Sequence, residues 1–355
     1  MLESSSFRHV LVGATGMLLF LLCAPVQSQD LSQTLNVNPT DYDNFAVSQA
    51  QDLKHHARPA NTSAAKEARP TELSNLHSAS PNSNGQEPSE KHIRFPGDLQ
   101  YHGGPVVEST VQHLIFVNLA KSTSCHTVAT CWGNPFGFLQ DLGNSDFIHV
   151  VDQYTGGGNG LYTVSQTIVN VNYPTSSHPF TDHDMLVIAH AVATFFGTGY
   201  NHLYHIFLVP GQDECFNSTF TVCYSPDNLK SFAFCAYHGS VTFQDIGHVL
   251  YSVEPFQDVE GCSSRPGTPN GQLADSTNNV LSHETFETIT DPDGDAWWNS
   301  LDNGLFGQEI GDECSFLLFT STAVFFDPSD VTLNGTKYVA QPEYNNHHHA
   351  CTTTP

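Results

Sequence analysis

His283, Glu284 and Glu287 stand in the order His-Glu-x-x-Glu inside the stretch NNVLSHETFETITDPDGDAWW, residues 278–298. The related pattern His-Glu-x-x-His, carried on a helix, marks zinc peptidases in which both histidines ligate the ion and the glutamate is the general base. Here a glutamate replaces the second histidine. Residues four apart on a helix differ by about 40° around its axis, so His283 and Glu287 share one face and can hold one ion. Glu284 lies about 100° round, where it reaches a water at that ion without ligating it. A carboxylate is an accepted zinc ligand, so the exchange does not forbid a site; it adds negative charge and weakens the ion as a Lewis acid.

The third ligand is less determined. Asp291 continues the row at i+8, while Glu309 and Asp312 in GQEIGDEC follow a segment, GDAWWNSLDNGLFG, that reads as a loop. Glu309 is expected to complete the site narrowly ahead of Asp312, with Asp291 orienting His283 or capping the turn. Zinc is the expected ion. A structural calcium competes for the same segment, because Asp291, Asp293, Asp295 and Asp302 fall at positions 1, 3, 5 and 12 of an acidic loop. Ala296 stands where an EF-hand needs glycine, and position 12 is not glutamate, so the loop is not an EF-hand. The plainest alternative is a solvated helix face with no ion. His202 and His205 point to opposite faces of one strand, and His238 either lines the cleft or, the favoured reading, satisfies a core hydrogen bond.

Two helices carry good punctuation. One runs from Thr181 to Gly197; the other, holding the motif, starts at Asp275, Ser276 and Thr277 and ends near Asp291, because the residue before Pro292 is pushed out of helical geometry. Strands are expected over 111–119, 202–210 and 231–239. These elements predict an α+β fold: a single secreted, disulfide-containing domain over residues 96–355, with a zincin-like mixed sheet and a helix carrying His-Glu-x-x-Glu. Residues 29–95 are rich in Ser, Asn, Pro, Ala and Gln and poor in apolar clusters, so a disordered leader or propeptide is expected there.

Residues 1–28 read as a secretory signal peptide, with Arg8 ahead of an apolar run and small residues at the cleavage site. The run is too short for a stable membrane span, which needs about 20 apolar residues. Eight cysteines follow the signal, an even number that favours disulfides in an exported chain. Short loops point to Cys125 with Cys131 and Cys215 with Cys223. A net charge of −25, with 11 Lys and Arg against 36 Asp and Glu, repels phosphate backbones and argues against a nucleic-acid partner.

Four blocks together resemble the exordium, or phosphate-induced, family of exported proteins and its microbial relatives. They are YHGGPVV (101–107), NNVLSHETFETITDPDGDAWW (278–298), GDEC (311–314) and NGTKYVAQPEYNNHHHAC (334–351), in the family's order and spacing. Plant members are linked to growth and the cell wall and lack the His-Glu pair at this position. Microbial relatives keep Ser-His-Glu-x-x-Glu followed by Thr-Asp-Pro, as in Ser282 to Glu287 and Thr290 to Pro292 here. The resemblance implies a family fold that survives without the ion.

The expectation is thus an extracellular zinc metallohydrolase, a peptidase, monomeric and acting on protein, peptide or cell-wall substrate. His283, Glu287 and Glu309 or Asp312 would hold the ion and Glu284 would be the base. The rival is a non-catalytic extracellular or cell-wall-associated binding protein in which a calcium or zinc ion is structural.

Overall fold

The computed structural model describes residues 31–42, 51–60, 62, 64, 98–158, 160–175, 178–216, 219–299, 309–315 and 329–355. Residues 1–28, expected to be a signal peptide, lie outside the described residues. Eight strands form one mixed sheet: β1 (Leu31–Asn36), β2 (Gln51–Pro59), β3 (Thr110–Val117), β4 (Tyr162–Val164), β5 (Thr167–Asn172), β6 (His202–Leu208), β7 (Phe234–Phe243) and β8 (Gly247–Glu254). Their order is β1-β5-β3-β6-β8-β7-β2, with β4 beside β3. β1, β5, β3, β6 and β8 run parallel to one another, whereas β7 is antiparallel to both β8 and β2.

Alternation along the strands sorts their side chains onto two faces. Ile115, Val117, Tyr204, Ile206, Val249 and Tyr251 share a core with α1 (Asp182–Phe196). Leu114, Phe116, Leu203, Phe207 and Leu250 face the other way, against Leu281, Phe286 and Ile289 of α2 (Gln272–Thr290). The result is a mixed sheet between helices, the α+β architecture expected, with the motif helix on one face.

The boundaries of α1 are those expected: Thr181 caps it through a reciprocal box with Asp184, and it stops at Gly197. α2 begins earlier than its polar residues imply, at Gln272, because Asp275 works from inside the first turn, accepting from the Asn270 N–H at 2.8 Å. It ends at Thr290, one residue before Asp291. β3 ends at Val117 rather than residue 119 because Asn118 takes a left-handed conformation, φ 58°. β7 begins at Phe234, three residues late, and continues into the turn before Gly247.

The largest departure concerns residues 29–95. Two segments of this supposed leader are ordered strands, β1 and β2, and they form the two outer edges of the sheet. A composition too polar to build a core can still order by adding backbone hydrogen bonds to an existing edge. Residues 37–42, with a helical turn over Pro39–Tyr42, and a few further positions are also described; the rest of that region lies outside the described residues. Four disulfides staple the chain: Cys125–Cys131 and Cys215–Cys223 as the short spacings imply, and Cys235–Cys262 and Cys314–Cys351. Among the described residues no helix is long and apolar enough to cross a membrane.

Candidate functional site

α2 is buried from Ala274 to Thr290 although Asp275, Ser276, Thr277, Asn278, Asn279, His283, Glu284, Thr285, Glu287 and Thr288 are polar. Its threonines satisfy themselves on the helix backbone: Thr285, Thr288 and Thr290 donate to the carbonyls of Leu281, Glu284 and Phe286 at 2.7, 2.7 and 3.0 Å. The ionisable groups cannot do this. They face the even-numbered side chains of β7 and β8, where His238, Ser252 and Glu254 project.

His283 and Glu287 share one face of α2, with His283 Nε2 3.1 Å from Glu287 Oε1. The helical turn α3 (Asp312–Ser315) brings Asp312 Oδ1 to 3.8 Å from the same nitrogen. The Asp312 N–H donates to Glu287 Oε1 at 3.0 Å, fixing that carboxylate. His283, Glu287 and Asp312 thus form one set whose ligating atoms converge. On the other side of Glu287, His238 Nδ1 lies 3.4 Å from Glu284 Oε2 and 3.5 Å from Glu287 Oε2, a second convergent set. Ligands about 2.1 Å from one tetrahedral ion stand about 3.4 Å apart, and the histidine-to-carboxylate distances in the two sets, 3.1 to 3.8 Å, lie around that value.

Glu309, the favoured third ligand, does not meet His283. It faces His238 Nε2 at 3.6 Å and His56 Nδ1 at 3.3 Å. Asp291 closes the turn after α2: its Oδ1 accepts from the Ala296 N–H at 2.7 Å, and its carbonyl accepts from His238 Nε2 at 3.3 Å. The acidic loop is committed elsewhere, since Asp293 is held by the Tyr200 hydroxyl at 2.5 Å and by His248 at 3.1 Å. Asp302 lies outside the described residues.

Proton positions follow from these contacts. His238 donates from Nε2, so its Nδ1 carries a lone pair pointing at two carboxylates. For His283 the arrangement is reversed: Gln341 Nε2, which donates to the Gly311 carbonyl, also faces His283 Nδ1 at 3.2 Å, placing the ring proton on Nε2. An ion at His283 Nε2 therefore displaces that proton. Among the described residues neither oxygen of Glu284, nor Glu287 Oε2, nor His238 Nδ1 has a well-formed hydrogen bond. Buried lone pairs facing one another are costly, and a cation among them satisfies them all.

The electrostatics agree. Burial above all, then Glu287 and Glu254, raises Glu284 well above the ordinary glutamate range. Burial, then Glu287 and Asp291, does the same for Glu309. Burial also works against charge on Glu287, but His283 and then His238 outweigh it and hold this carboxylate at about 2. Both imidazoles are pushed down, chiefly by burial, and so stay neutral as metal ligands must.

Sequence reasoning favoured a core histidine at His238 over one lining the cleft; it is buried and bonded to the Asp291 carbonyl, but it also faces Glu284 and Glu287, while the pair His56 and Arg58 on β2 was missed. Alternation in KHHARP places His56 and Arg58 on one face, but only β2's position beside β7 shows that this face meets the cluster. The four blocks singled out in the sequence touch one another in pairs: Tyr101 pairs with Trp297 and Gly104 packs on Asp295, while Asp312 and Gln341 reach His283. No protein-family model, curated protein or solved structure matches the chain.

Proposed function

We propose that the chain is an exported, zinc-dependent hydrolase of the peptidase type, with its ion held at Glu287. The observation that carries this reading is the convergence, in a buried interior, of a neutral imidazole lone pair and several carboxylate oxygens that find no hydrogen-bond donor among the described residues. His283, Glu287 and Asp312 would hold the ion, as the motif implies. A zinc ion bound there supplies Lewis acidity.

The protein's own groups divide the remaining work. Glu284, adjacent in sequence to a ligand but turned to the other side of Glu287, is the base; its raised affinity for protons suits that role at neutral pH. Glu284 would pass the proton it takes up to the leaving amine, and His238 Nδ1, 3.4 Å from Glu284 Oε2, orients that carboxyl. Asp291 orients His238 through its carbonyl. Export rests on the apolar N-terminal run and the four disulfides, and kinship with the exordium family on the four blocks that touch in pairs.

Complete burial of His238, His283, Glu284 and Glu287 favours a second reading, a non-catalytic extracellular or cell-wall-associated binding protein in which the ion is structural. Glu284→Gln separates the two. A hydrolase loses about 10²- to 10⁴-fold in peptide hydrolysis while its zinc content is unchanged. Hydrolysis unaffected by Glu284→Gln removes the proposed mechanism.

A further inference from the structure

β2 occupies a revealing position. It is the edge strand beside β7, antiparallel to it, with His56 opposite His238 and Ala57 opposite Tyr237. His56 stacks on His238 with ring centroids 5.1 Å apart and reaches Glu309. Arg58, two residues on and so on the same face, is wholly buried. A guanidinium survives burial only among negative charge. The carboxylates acting on Arg58 are Glu284 first, then Glu343, Glu287 and Glu254. The segment QDLKHHARP also concentrates Lys54, Arg58 and two histidines in a chain with only 11 Lys and Arg. Strand β2 is therefore matched to this edge in both backbone and charge, and it lies over the proposed base.

A sheet edge of this kind takes up extended peptides, with backbone hydrogen bonds giving affinity and alternate side chains giving selectivity. We infer that the outer edge of β7 is a binding site for an extended cationic peptide, and that residues 51–59 fill it as an inhibitory strand. A peptide from another molecule gains the site by displacing β2. The inhibitory half rests on the hydrolase reading; the binding half does not.

The test uses the full-length chain and a fluorescent peptide, QDLKHHARP. Arg58→Glu in the chain places a carboxylate among carboxylates and expels β2, so this variant should bind the peptide about tenfold or more tightly than the wild type, whose edge is filled. The same peptide carrying the Arg58→Glu change should bind the variant chain about tenfold or more weakly. A folded variant, with all four disulfides formed, that binds neither peptide or binds both equally overturns the inference. If Arg58→Glu prevents folding, His56→Ala/Arg58→Ala is read by the same criteria. Faster peptide hydrolysis by the variant supports the inhibitory half. Selective binding with no hydrolysis by any chain overturns that half together with the hydrolase reading, and leaves the peptide site established.

Discussion

His238 Nδ1 and Glu284 Oε2 face each other at 3.4 Å, strand against helix, with the imidazole proton committed to the Asp291 carbonyl on the far side. The nitrogen is therefore an acceptor facing that carboxyl. His238→Ala should leave zinc in place but slow peptide hydrolysis by about ten- to hundredfold, whereas His283→Ala should lose the ion. Zinc content and rate, measured on both variants, check this. The opposite pattern moves the ion to His238, Glu284 and Glu287.

Gly311 offers a test that touches no ligand. A side-chain methyl built there would strike His283 Nδ1 and come within 2.9 Å of Glu287 Oε1. Gly311→Ala should therefore weaken zinc binding by about tenfold or more by displacing both ligands, an effect comparable to losing a group that orients a ligand. Competition with a chromophoric chelator measures it.

The contributions of Asp291 and Glu254 to the stability of the zinc-free protein should fall as pH rises, opposite in sign to those of the depressed His238 and His283. Burial first lifts Asp291 to about 6 and Glu254 to about 8, with His56 and the Ser252 hydroxyl respectively opposing the rise. Each folded carboxyl thus keeps a proton that the unfolded chain has released. Between the unfolded and folded values, this contribution declines with pH; above the folded value it levels. Asp291 alone contributes roughly 3 kcal/mol across pH 4 to 6. Chemical denaturation at pH 4, 6 and 8 in the presence of chelator reads this as the difference between wild type and Asp291→Asn, and a wild-type midpoint that rises relative to the variant's from pH 4 to 6 contradicts the assignment.

Much of this architecture was legible in local patterns. Thr181 and Gly197 bracket α1, and the i, i+4 spacing does put His283 and Glu287 on one face. What failed were inferences needing long-range pairing. Glu309 and Asp312 are three residues apart, and only the fold of α3 against α2 decides that Asp312 meets His283 while Glu309 meets His56 and His238. His238 carries no motif; its role comes from the register of β7 over α2. The polar composition of residues 29–95 correctly denies them a core of their own, but composition is blind to a strand that borrows its order from a neighbouring edge.

The account stands or falls on an ion at Glu287, the one residue common to both convergent sets. The most direct measurement is metal content by mass spectrometry on full-length protein purified without metal-affinity resin, because the exposed His347, His348 and His349 can hold metal adventitiously. A Glu287→Ala chain is measured beside it. The account predicts about one zinc per wild-type chain and its loss in the variant, with the tail histidines intact in both. Equal zinc in the two chains, or none in the wild type, would contradict it.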